Sequence, residues 1–246
     1  MQRTLAAILI VLACGGVARA QSTVRIFDIE PGLPVTGLPL ADFVDPACGT
    51  NGGPPSLPLG GFDQFAQCPA ESDTGLHEVW FIYDDEWEYI ARAQRDELVI
   101  RRYSANSFFD QPIITSLLIG GDGIVQGYRV VTDPRAPPEV RIEGHLLAAY
   151  FKGMFNDTEW ICIDLPQDVR EQPIDRLFIK QACEMRSDSR IARLEVHHLY
   201  KPGQDLSLNP RMLDEAVGDF ESWTRLEVFA AEAVRDAPCC RASLRP

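Results

Sequence analysis

Lysine is scarce in this chain: three residues of 246, against 20 arginines, with 36 acids outnumbering both and a formal net charge of −13. Nucleic acid is bound by clustered cations that displace counterions, and anionic lipid draws in basic segments. Neither partner is expected here. Long hydrophobic runs are lacking as well. The run from Leu5 to Ala13 falls far short of the roughly 18 apolar residues that span a bilayer, and no later stretch approaches that length, so no transmembrane segment is predicted. Also missing are a Gly-x-Ser-x-Gly elbow and a Ser-x-x-Lys pair, together with His-x-x-x-His, His-Glu-x-x-His and Cys-x-x-Cys spacings. No metal and no cofactor are expected. Gly120-Gly121-Asp122-Gly123 joins two apolar runs, whereas a phosphate-cradling loop leads from strand into helix.

What is present begins with an export pattern. Arg3 precedes the apolar run, and Ala18-Arg19-Ala20 fits the small-x-small cleavage rule. Residues 1–20 therefore read as a signal peptide, with a mature start at Gln21 and a periplasmic or secreted location. Val11-Leu12-Ala13-Cys14 loosely resembles a lipobox, which offers a lipid anchor at Cys14 as the alternative. Removing residues 1–20 leaves 226 residues, enough for one sizeable core, and a charge of −15, since only Arg3 and Arg19 are lost. High negative charge favours solubility rather than any particular chemistry. The excess of Arg over Lys suggests a GC-rich bacterial genome.

Six cysteines then remain: Cys48, Cys68, Cys162, Cys183, Cys239 and Cys240. An even number in an exported chain points to disulfides. Cys239 and Cys240 are neighbours, about 3.8 Å apart at Cα, closer than the roughly 4.4 Å of an ordinary bridge. Cys48 and Cys68 bracket a Gly/Pro-rich loop, and Cys162 and Cys183 lie on two predicted strands. The expected bridges are Cys48–Cys68 and Cys162–Cys183. Cys239 and Cys240 are left as a redox pair or as bridges to other parts or chains.

Residues 21–75 hold eight Pro and eight Gly. Apart from VRIFDI (24–29) nothing there alternates, so this stretch reads as an irregular arm stapled by its own disulfide. A globular domain is expected over residues 76–234 and a polar tail over 235–246. Strands are predicted at 79–83, 113–119, 124–133, 160–164, 177–185, 189–200 and 220–229, with a hairpin across Gly120 to Gly123. Residues 140–155 read as a helix with Ile142, Leu146, Ala149, Tyr150 and Gly153 in a stripe. A second helix is predicted from Glu86 to Leu98. The fold class is α+β: one antiparallel sheet packed by one or two helices.

The densest chemistry is Asp84, Asp85, Glu86 and Glu88, set among aromatics. At the end of a strand these acids fit a helix N-cap, with Asp85 and Glu88 spaced like a capping box. As catalytic candidates they would form a glycan-directed carboxylate site, although adjacent acids rarely reach the separation across a cleft that such chemistry requires. Asp73-Thr74-Gly75 matches the aspartic protease tripeptide, but polar Pro69-Ala70-Glu71-Ser72 precedes it instead of an apolar strand, so a turn is expected. His198 shares the apolar face of its strand and reads as a hydrogen-bonded core residue. His197 shares a face with Arg193 and Glu195 and reads as solvated. Together these features favour an exported, disulfide-stabilised bacterial envelope protein: a non-catalytic binding, adaptor or assembly module, with another envelope protein as partner. The alternatives are a periplasmic carboxylate-dependent hydrolase and a thiol-redox protein acting through Cys239 and Cys240.

Overall fold

The computed structural model describes residues 26–38, 43–83, 90, 93–96, 106–155, 158–204 and 220–234. Nine strands form one antiparallel sheet: β1 (Phe43–Cys48), β2 (His77–Tyr83), β3 (Ser107–Phe108), β4 (Gln111–Ile119), β5 (Val125–Thr132), β6 (Ile161–Asp164), β7 (Ile179–Arg186), β8 (Arg190–Leu199) and β9 (Glu221–Ala230). Their order is β1-β2-β4-β5-β9-β8-β7-β6, with β3 paired to β4. A helical segment between β5 and β6 completes the α+β fold. It runs through α1 (Pro138–Arg141), a 3-10 turn at Gly144–Leu146 and α2 (Leu147–Met154).

The register explains how the two faces differ. One row crosses the sheet as Phe81, Thr115, Val130, Leu226, Leu194, Cys183 and Cys162. The next row, displaced by one residue and so on the opposite face, reads Trp80, Ser116, Arg129, Glu227, Arg193, Glu184 and Ile161. The first face carries the main core and is covered by α2 and the N-terminal segment, with Ile26, Val35, Leu38, Phe62, Leu147 and Phe151 buried against it. The second face holds alternating charges on neighbouring strands, each opposite pair favourable across the ladder.

Two sequence expectations change here. The stretch 21–75 is not irregular throughout, because Phe43–Cys48 joins the end of the sheet as strand β1, paired antiparallel to β2. Asp45 at φ 52° and the register shift between Val44 and Ala47 bulge that strand, which broke the alternation that marks a strand. VRIFDI contributes a 3-10 turn at Ile26–Asp28. In the helical segment, Leu147, Ala148 and Phe151 are buried, whereas Leu146, Ala149, Tyr150 and Gly153 are exposed. The stripe that marked the helix is thus its outer face. The two stripes are comparably apolar, and Phe151 decides the phase by meeting Phe27 and Phe108, whose ring centroids lie 6.0 and 5.2 Å away. Of the second expected helix, most of residues 86–98 lie outside the described residues; Ile90, Ala93 and Gln94 are helical.

Candidate functional site

Asp84, Asp85, Glu86 and Glu88 lie outside the described residues, as do Cys14, Cys239 and Cys240. The structure joins Cys48 to Cys68 and Cys162 to Cys183. Asp73-Thr74-Gly75 is a turn closed by Gly75 N–H donating to Glu71 C=O at 2.8 Å. Three other places gather chemistry-bearing side chains.

The first is a buried ion network. Arg129, on β5, is 2 % exposed and meets Glu71 at 2.7 Å, Glu78 at 2.9 Å and Glu227 at 2.7 Å. Glu227 also accepts from Arg225, which in turn donates to the Asn51 carbonyl at 2.8 Å. Glu78 accepts the backbone N–H groups of Asn51 and Gly52. Gly52 sits at φ +82°, and a Cβ there would meet the Val131 side chain at 2.6 Å. Burial would lift the Glu227 carboxyl, but Arg225 and Arg129 overcome it and hold the group at about 2. These carboxylates are committed to arginine and to loop amides. They tie the loop after β1 to three strands and offer no free acid or base.

The second is an imidazole–hydroxyl cluster assembled from three distant segments. The Ser222 hydroxyl donates to the Ile142 carbonyl at 2.6 Å. Its single proton is thereby used, so Ser222 Oγ accepts from His198 Nδ1 at 3.0 Å. His145 Nδ1 lies 3.1 Å from the same carbonyl and 3.3 Å from the same hydroxyl. The two rings are 4.0 Å apart. Burial, then the neighbouring His145, pushes His198 down to about 4, and burial lowers His145 as well. A serine nucleophile hands its proton to an imidazole lone pair; here the proton is held by a backbone carbonyl. With Thr224 Oγ1 donating to Gly144 C=O at 2.8 Å, the cluster fastens the 3-10 turn, and hence α2, to β8 and β9. His198 is the hydrogen-bonded core residue expected. His197 is not solvated: it is 8 % exposed, stacked on Trp223 at 4.1 Å and bonded to Glu195 at 2.9 Å. Trp223 lies opposite it on β9 and covers the polar face at that point.

The third is the outer face of α2. Leu146, Tyr150 and Met154, four residues apart, are 45, 42 and 40 % exposed. Ala149 and Gly153 lie exposed beside them, and the single charged residue of α2, Lys152, points instead to Cys162 and Gln181. The β3–β4 hairpin grips the helix with two adjacent phenylalanines, one on β3 and one in the turn. Phe108 stacks inside on Phe151, and Phe109 stacks outside on Tyr150 with centroids 3.7 Å apart. Phe109 is 58 % exposed and held at φ +48°. Surface helices ordinarily carry polar residues outward, and left-handed backbone costs a non-glycine residue about 1–2 kcal/mol. This face breaks both rules at one place, and strained outliers concentrate at functional sites. Sequence periodicity marked the stripe, but which face it covers and the meeting with Phe109 have no local signal.

Elsewhere, a depression of about 510 Å³ is lined by residues from Phe43 to Pro46 and from Leu59 to Phe62, and Asp45 is the one carboxylate among those lining residues. Among the described residues no three His, Cys, Asp or Glu side chains converge to hold a metal ion. No helix among them is long and apolar enough to cross a membrane. No protein-family model matches the chain, nor does any curated protein or solved structure.

Proposed function

We propose that the chain is an exported, disulfide-stabilised bacterial envelope protein whose role is binding or assembly rather than catalysis, and that the outer face of α2 receives another envelope protein. The exposed, uncharged stripe of Leu146, Tyr150 and Met154, extended by the strained Phe109, carries this reading. Aromatic residues at the centre of a patch contribute most to binding. The two disulfides suit an oxidising compartment, and residues 1–20 supply the route to it. A mature protein starting at Gln21, measured by intact mass, is the expected product; a diacylglyceryl Cys14 would replace the soluble form by an anchored one.

A photo-crosslinking residue in place of Leu146 tests the surface. In native envelope extract it is expected to give one defined adduct, absent when the same residue replaces Asp122 in the exposed β4–β5 turn. Phe109→Asn supplies the control. Asn tolerates the left-handed backbone of that hairpin turn, which offsets the lost stacking, so stability should stay within about 1 kcal/mol of the parent while the adduct disappears. Equal adducts from both positions, or none from Leu146, would overturn the assignment.

A further inference from the structure

The two disulfides sit in opposite environments. Cys48 and Cys68 are 1 and 2 % exposed and lie within the core. In the other bridge Cys183 is 2 % exposed, but Cys162 lies on β6, whose four residues are all exposed. β6 ends the sheet and pairs with β7 alone among the described strands. The Lys152 ammonium, reaching down from α2, lies 3.2 Å from Cys162 Sγ and 3.2 Å from Gln181 Oε1. It links the helix to the sulfur of the exposed cysteine.

We propose that Cys162–Cys183 is a thiol–disulfide exchange site, attacked at Cys162 by the thiolate of a small thiol or dithiol, with Lys152 as a positioning cation. Exchange requires the nucleophile to approach along the S–S axis and spreads negative charge over three sulfurs. Of the two cysteines, Cys162 is exposed and Cys183 is buried, which favours attack at Cys162. A cation already fixed beside it draws in the thiolate and stabilises the charge that develops, as preorganised donors do elsewhere. In the step, the incoming sulfur bonds Cys162 Sγ, the Cys162–Cys183 bond breaks, and its electron pair goes to Cys183. That thiolate takes up the proton lost by the attacking thiol. A dithiol then resolves the mixed disulfide by its second sulfur, leaving two cysteines and one oxidised dithiol.

The full oxidised chain contains its own control. Dithiothreitol is added under native conditions, samples are acid-quenched and alkylated, and each cysteine peptide is followed by mass spectrometry. Cys162–Cys183 is expected to open at least about ten-fold faster than Cys48–Cys68. Glutathione should be trapped on Cys162. Lys152→Met should slow that opening several-fold without changing Cys48–Cys68, and Lys152→Arg should preserve it. Equal opening rates for the two bridges, an adduct on Cys183, or an unchanged rate in Lys152→Met would overturn the proposal. The rate comparison in the parent chain stands even if a variant fails to fold.

Discussion

Among the described residues Arg129 is the largest fully buried side chain, and three carboxylates surround it. Arg129→Met would leave Glu71, Glu78 and Glu227 facing one another with only Arg225 opposed to them. Breaking a buried ion set by removing one member costs about 3–5 kcal/mol, and the loss should appear in the urea midpoint. The same residues predict acid sensitivity. Glu227 ionises near 2 in the fold against an ordinary 4.5, so its stabilisation is complete above 4.5 and is lost as pH falls toward 2. His198 acts over an earlier window. Its folded value is about 4 against an ordinary 6.5; above 6.5 both states are neutral. Between 6.5 and 4 the unfolded chain takes up a proton that the fold refuses, and stability declines. Urea midpoints measured from pH 7 to pH 4 should fall, and His198→Asn should reduce that slope. None of these partnerships was readable in the sequence, because Arg129 and Glu227 are 98 residues apart and their ladder position depends on β9 inserting between β5 and β8.

At the scale of elements, alternation was a good guide wherever a strand is wetted on one side. β9 shows it from Glu221 to Val228 and β8 from Ala192 to Val196, and both strands lie where residues 189–200 and 220–229 were expected. It failed at β1, where the Asp45 bulge interrupts the pattern, and it located the helix without telling its inner face from its outer one. The centre of the sheet also depends on a glycine that the pattern does not flag. A Cβ on Gly127 would meet the Val228 carbonyl oxygen at 2.2 Å, and backbone cannot yield as a side chain can. Gly127→Ala should separate β5 from β9 and cost about 3 kcal/mol or more, read as a lower urea midpoint. Replacing Cys48 and Cys68 by Ser opens a loop with a sequence separation of 20, and should cost roughly 3 kcal/mol in the chain-entropy model.

For the whole molecule, what matters is how a sheet this wide ends. At the β1 edge the chain closes on itself: Cys48 N–H donates to Leu57 C=O, Ser56 N–H to Cys48 C=O, and Leu59 N–H to Pro46 C=O, all within 2.9 Å. At the β6 edge Ile161 and Ile163 stand 67 and 45 % exposed, with no described strand beyond them. An open apolar edge is a template for pairing with another copy. The strong negative charge opposes that encounter, since like-charged chains repel at a distance. That repulsion vanishes near the sequence pI of about 4.7, and salt near 1 M shortens its reach to about 3 Å. Light scattering should therefore rise under either condition, and with it the β signal of intermolecular strands. Ile163→Lys places a charge on the edge, as natural edge strands do, and should suppress the rise without altering the unfolding free energy by more than about 0.5 kcal/mol. If Ile163→Lys scatters as the parent does, association proceeds through another surface, and the uncharged face of α2 becomes the one to substitute next.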